Sequence, residues 1–393
     1  MIRRILFCLF SSVLSVAALP GGFALASTPH PGPPADGETL SSWYLHYSVE
    51  GRKDLFGAQS DVSGVERELA RLSDRVRPLL SSATTGEQVV AAFNRVLLKE
   101  EGFSYDGIAG DPENFLIGSV LSRKRGNCLG LSMLYLALAE RLSVPFRGVC
   151  VPSHCFVRYE GKGDVRNVEF ASRGEEWGDD RYRREFRIGP GRPYLRSLVG
   201  TEMLGVFLKS LGAAYSKKGR EEDALHLYDE AVRFFPGLPE AYFNAGVSLQ
   251  RMGRFDEAAV RYRGSLALDP DLAPARDNLG IVLAIRGNFA EAIPEGRRAV
   301  ELEPRNAAMR RNLATIFCAS GNIEEGIRQF LAAVEIAPRN SRTREGLAMS
   351  YLALGRYQEA AKEFDIAQAL GVRIEPSMLQ KLERHRPPSL PGS

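Results

Sequence analysis

The chain has 393 residues, 44% of them apolar and 25% charged, with a formal net charge of +3. These fractions exclude a disordered or collagen-like chain, and at roughly 150 residues per domain the length allows two or three domains with cores of their own. Near-balanced charge, without a long basic run interleaved with aromatics, argues against nucleic acid as a partner.

Residues 1–26 read as a secretory signal peptide. Arg3 and Arg4 form a basic start, Ile5 to Leu19 is apolar, Pro20 to Gly22 break any helix, and Ala24-Leu25-Ala26 is an A-x-A cleavage site. The alternative is an uncleaved anchor, but an apolar run from residue 5 to residue 19 falls short of the ~20 residues that span a bilayer. Cleavage removes Arg3 and Arg4, taking the net charge from +3 to +1, and leaves Cys128, Cys150, Cys155 and Cys318. The mature chain is expected to be exported, with no integral membrane span. Four cysteines over this length do not make a disulfide scaffold.

Residues 27–63 are taken as a leader and lead-in segment, rich in Pro and Gly as far as Glu38. A first domain is expected over 64–190. Val65, Leu69, Leu72, Val76 and Leu79 recur at helical spacing over 64–80. A second helix runs from about Gly86 to Glu101, started by Thr84-Thr85. A loop and a short helix around Pro112 to Ser122 follow.

Gly126-Asn127-Cys128 then opens a strongly apolar helix, Leu131 to Leu142. Unpaired amides and the helix dipole at such a start favour a thiolate. Gly148 to Val151, His154 to Tyr159 and Val165 to Phe170 read as strands, the last of them containing Glu169. A cysteine on a helix start, a histidine on one strand and a carboxylate on the next is the layout of a thiol nucleophile triad. Cys150 and Cys155 read as core residues, with a Cys150–Cys155 disulfide as the alternative. No paired His or Cys spacing suggests a metal site, and no cofactor is called for.

These residues resemble the transglutaminase-like cysteine fold. Its pattern is glycine-x-cysteine opening a helix, a following x-Pro-x-Arg strand, then histidine and an acidic residue. Here these are Gly126-Asn127-Cys128, Val144-Pro145-Phe146-Arg147, His154 and Glu169, with 26 positions from 128 to 154 and 15 from 154 to 169. The resemblance covers about residues 85–185. It implies an α+β, papain-like domain with Cys128 as nucleophile, His154 as general base and acid, and Glu169 as the orienting carboxylate. The usual acid in this family is aspartate; Glu169 is one methylene longer. The Cys128 backbone amide is one expected oxyanion donor, and Asn114 and Asn127 are candidates for a side-chain donor.

A linker helix is expected over 191–204, and then a repeat fills the second half. Prolines at 236, 270, 304 and 338 and glycines at 219, 253, 287, 321 and 355 each recur at a step of 34. Each period reads as two amphipathic helices separated by a glycine turn. Tyr228, Tyr262, Phe330 and Phe364 fill one column, which Gly296 leaves empty in the third period. The pattern resembles the tetratricopeptide repeat (TPR), with units at 205–238, 239–272, 273–306, 307–340 and 341–374, and a capping helix and tail over 375–393. The first domain is closest to the bacterial subgroup in which it precedes such repeats.

Asn244, Asn278 and Asn312 share one position in repeats two to four. In TPR superhelices that position faces the concave groove, so they are read either as a ladder gripping a peptide or protein, or as consensus residues without that role. Pro294 and Gly296 inside helix B of repeat three are expected to weaken it, since each costs roughly 3 and 1 kcal/mol in an exposed helix. The fold expected is thus an α+β transglutaminase-like domain followed by an all-α TPR solenoid. The function expected is exported thiol-dependent acyl transfer on amide bonds; the alternative is a non-catalytic TPR adaptor.

Overall fold

The computed structural model describes residues 39–57, 61–108, 111–189 and 194–375, with Met378, Gln380 and Leu382. The expected signal peptide, the expected leader up to residue 38 and the tail from 383 lie outside the described residues. The chain divides into two compact units, Ala26–Asn244 and Ala245–Ser393, each of which is described by itself.

The first unit begins with α1, Leu40–Phe56, capped by Thr39 and closed by Gly57 at φ 65°. The sequence reading treats this stretch as a lead-in because Ser41, Ser48 and Gly51 share its buried face with Tyr44, Leu45 and Leu55, which blurs the apolar periodicity. α2 spans Val62–Ser81 and buries Val65, Leu69, Leu72 and Val76. α3, Gly86–Asn94, starts in a Thr85/Gln88 capping box and continues as π-helical turns over Arg95–Glu100.

β1, Ser104–Tyr105, pairs in parallel with β2, Arg125–Gly126. Between them lie a 3-10 turn at Pro112–Asn114 and α4, Ile117–Arg123. α5, Cys128–Arg141, is buried on nearly all sides from Leu129 to Ala139, as an all-round apolar helix must be. It packs against β3 and β4 and also touches α1, α2 and α4.

β3 (Phe146–Val151), β4 (His154–Gly161), β5 (Asp164–Val168) and β6 (Ser197–Leu198) form an antiparallel sheet in the order β5-β4-β3-β6. Cys150 and Cys155 face each other in the β3–β4 register and are joined as a disulfide, Cα–Cα 4.3 Å. The core assignment of these two cysteines therefore gives way to the disulfide alternative, because the hairpin sets them directly opposite. α6, Asp179–Glu185, follows β5.

The expected linker helix over 191–204 is not what forms. Ser197–Leu198 is the edge strand β6, and α7 starts only at Gly200, where Glu202 accepts the Val199 N–H at 3.0 Å. α7, Gly200–Lys217, packs on α1, α5 and β3. With α8, Glu221–Phe234, it makes the first repeat a part of this unit.

The helix pairs of the later repeats follow the 34-residue period. They are α9 and α10 (Pro239–Arg251, Phe255–Leu268), α11 and α12 (Ala273–Ile285, Phe289–Leu302), α13 and α14 (Ala307–Ala319, Ile323–Ile336), and α15 and α16 (Ser341–Ala353, Tyr357–Ala369). Gly219, Gly253, Gly287, Gly321 and Gly355 all turn at φ between 74° and 90°, the left-handed conformation that glycine adopts without a Cβ penalty. Beyond the last repeat Leu382 is buried in the core of repeat five, with Met378 packed against it.

α12 runs the same fourteen residues as α10 and α14 despite Pro294. In repeat two a Cβ on Gly246 would lie 2.6 Å from the Tyr262 ring. In repeat three the Ile316 side chain lies close to both Gly280 and Gly296. Ile316 is 1% exposed, and one repeat either side its column holds Val282 and Ser350. The missing aromatic is thus answered by a larger residue from the next repeat. Ile316→Ser should destabilise this unit by about 2–4 kcal/mol and lower amide-exchange protection of α12 below that of α10. Unchanged protection would show that Ile316 is not the compensating residue.

Candidate active site

Cys128 is the first residue of α5. Asn127 caps that helix by accepting the Gly130 N–H at 2.9 Å, and the Asn127 N–H is itself held by the Asn114 carbonyl at 2.8 Å. The two glycines around the cysteine have a steric reason. A Cβ on Gly130 would lie 2.2 Å from the Asn114 carbonyl oxygen and one on Gly126 3.1 Å from it. The 3-10 turn can therefore close on the helix start only if both positions lack a side chain.

His154 opens β4 and Glu169 follows β5, so the pairing of adjacent strands brings them together. The His154 Nε2 lies 2.7 Å from a Glu169 carboxylate oxygen. The extra methylene of glutamate is accommodated. Cys128 is near enough to the same imidazole to help raise its pKa. The sequence-predicted triad residues thus meet in one place.

Burial by itself pushes the His154 pKa down. The hydrogen bond to Glu169 and the proximity and charge of Cys128 and Glu169 outweigh it and raise the pKa to about 9. Glu169 is fully buried. One of its oxygens accepts the Ala171 N–H at 2.8 Å and the other the Tyr182 hydroxyl at 3.0 Å. The imidazole also stacks on Phe186, ring centroids 5.1 Å apart at 10°.

Tyr182 and Phe186, from α6 and its C-terminal end, form the back wall of this site, and sequence reasoning misses both. Only their position shortly after the acid could have hinted at them. Tyr105 is also missed. It pairs with Gly126, two residues before Cys128, and its phenol pKa is raised by burial and then by the charges of Cys128 and Glu169. As for the side-chain oxyanion candidates, Asn114 is buried with its amide donating to the Ile108 carbonyl at 3.3 Å. The Asn127 oxygen is engaged in the helix cap. The Cys128 backbone amide, at the open end of α5, stays the evident donor. Among the described residues no group of His, Cys, Asp or Glu is arranged to hold a metal ion.

The asparagine column does not behave uniformly. Asn244 and Asn278 are half-buried, and the Asn278 amide hydrogen-bonds the Tyr262 hydroxyl. Asn312 is buried and donates to the Asp277 carboxylate at 2.7 Å. At Asn312 the ladder reading therefore gives way to a packing role, because the buried Asp277 carboxylate takes its amide. The Asp277 carboxyl is pushed up to about 6, chiefly by burial and against the pull of Asn312 and Arg311. Asn312→Ala should cost about 1–3 kcal/mol by leaving that carboxylate unsatisfied. Asn244→Ala should stay within ~0.5 kcal/mol. Urea denaturation of the two variants distinguishes a packing role from a surface one.

A transglutaminase-like superfamily profile matches residues 63–184, and a tetratricopeptide-repeat profile matches 243–308, 286–341 and 311–371. The chain is a transglutaminase-like domain followed by tetratricopeptide repeats. Among individual proteins it is similar to the UPF0162 proteins of two Xylella fastidiosa strains, 26% identical over 170 residues that cover 40% of this chain and 60% of theirs. The UPF0162 protein of Vibrio cholerae is 27% identical over 180 residues, 44% of this chain and 66% of that one. The chain thus spans 60% of the length of the first of these relatives.

Solved structures of similar fold include MamA from Desulfovibrio magneticus RS-1, 22% identical over 42% of this chain and 94% of that one, with a TM-score of 0.40. Another is YrrB, described as a TPR protein with an unusual peptide-binding site, 20% identical over 46% of this chain and 92% of that one, with a TM-score of 0.39.

Proposed function

We propose that the protein is exported and carries out thiol-dependent acyl transfer on amide bonds, as a peptidase, deamidase or transglutaminase, with its repeats engaging a peptide or protein. The observation that carries this reading is the Cys128–His154–Glu169 arrangement, with the acid fully buried behind the imidazole.

In the proposed reaction the Cys128 sulfur attacks the amide carbonyl carbon, and the developing oxyanion meets the backbone amide at the start of α5. His154 delivers its proton to the departing amine, leaving a thioester on Cys128. His154 then takes a proton from water or an acceptor amine as that group attacks the thioester, and the thiol is regenerated. Glu169, held by Tyr182 and the Ala171 N–H, keeps the imidazole oriented throughout. Among the described residues no helix is long and apolar enough to cross a membrane.

The test is to incubate the chain from Ser27 onward with a library of glutamine-containing peptides and look for ammonia release and an acyl adduct on Cys128. Turnover that disappears in Cys128→Ser is expected. Activity retained in that variant would require another nucleophile, and peptide binding without any adduct would favour the adaptor reading. Export is checked separately by N-terminal sequencing of the protein recovered outside the cytoplasm, with Ser27 as the expected first residue.

A further inference from the structure

A second site lies outside the triad. A cavity of about 370 Å³ sits between α1, α2 and α4, within the size range of about 300–1,000 Å³ typical of small-molecule sites. Its walls are apolar at Val49, Val65 and Leu121 and carry hydroxyls at Ser48 and Ser122, and Arg52 of α1 faces it as well. The Arg52 guanidinium lies beside Gly118, where a Cβ would be in ordinary contact with Nη1 at 3.7 Å.

Arg52 has no carboxylate partner among the described residues, and its Nε is buried without a hydrogen bond. Two acids, Glu68 and Asp61, also line the cavity, and each is engaged with other groups. Glu68 holds Arg71 at 2.8 Å and Lys124 at 3.1 Å. Asp61 caps α2 by accepting the Gly64 N–H at 2.7 Å. On α1 itself, Asp54 accepts the Tyr215 hydroxyl at 3.1 Å and Glu50 pairs with Lys53 at 3.6 Å. A partly buried guanidinium without an anion is costly, and proteins rarely leave such a group unmatched.

We propose that this cavity binds a small organic carboxylate with an apolar body. The planar fork of arginine matches a carboxylate through two parallel hydrogen bonds, and the Val49, Val65 and Leu121 walls suit an apolar group better than a bare inorganic anion. α1, which supplies Arg52, precedes residues 63–184, the part that matches the transglutaminase-like profile. The site is therefore built partly by a segment outside that match, and it does not depend on the triad being active.

Isothermal titration of the mature chain with N-acetyl-leucine, N-acetyl-phenylalanine and octanoate, each beside its methyl ester, tests the proposal. At least one acid should bind while its ester does not, and Arg52→Gln should weaken that binding tenfold or more. Arg52→Lys, which keeps the charge but loses the fork, should fall between the two, and it serves as the readout if Arg52→Gln does not fold. The proposal is overturned if no acid binds at millimolar concentration, if acid and ester bind alike, if Arg52→Gln (or Arg52→Lys in its place) binds as tightly as the parent, or if only inorganic phosphate binds.

Discussion

Replacing His154 by Ala should slow alkylation of Cys128 by iodoacetamide at pH 7 by tenfold or more. Among the described residues two thiols are free, Cys128 and Cys318. Cys318 is buried in repeat four, and burial pushes its pKa up to about 11 against a hydrogen bond from Ser350. Labelling mapped by mass spectrometry should therefore report on Cys128 alone. In the parent protein the imidazolium persists to about pH 9, so the difference between parent and variant should hold from pH 7 to pH 8.5. Equal labelling rates for the two proteins would show that His154 does not act on the thiol.

Glu169→Gln should lower the His154 pKa from about 9 by at least one unit, because the charge goes while the size and the pocket stay. Each unit corresponds to about 1.4 kcal/mol of differential interaction. The sign of the stability effect follows from linkage. His154 has a raised folded pKa, so its contribution is fully present below about pH 6.5, its ordinary value, and is lost as pH rises through about 9. Parent and variant should differ most in urea denaturation near pH 6, and the gap should narrow towards pH 9.5. An NMR titration of the imidazole checks the pKa itself. An unshifted value would mean that the charge of Glu169 does not control it.

Much of the site is legible in the chain because its signals are local. An asparagine cap followed by an apolar run marks the start of α5 and places Cys128 there. His154 and Glu169 lie on consecutive strands, and the hairpin and ladder between those strands bring them together. The 34-residue period is equally plain, because each TPR unit repeats the same contacts with its neighbours.

What the sequence by itself determined is the set of features written in short-range pattern: the helix start that holds the cysteine, the strand order behind the histidine and acid, and five helix pairs. Only the tertiary structure decided the rest. Tyr182 and Phe186 reach the site because α6 folds back over the sheet, and no periodicity encodes that return. α1 escapes a pattern reading because its buried face is partly Ser and Gly, which are buried when neighbouring helices come close. Cys150 and Cys155 become partners through strand register, and Asn312 turns inward because Asp277, one repeat earlier, is buried and needs a donor. Ile316 fills the space beside Gly296 from a different repeat. In each case the deciding interaction joins residues distant along the chain, and its energy exists only once the elements have packed.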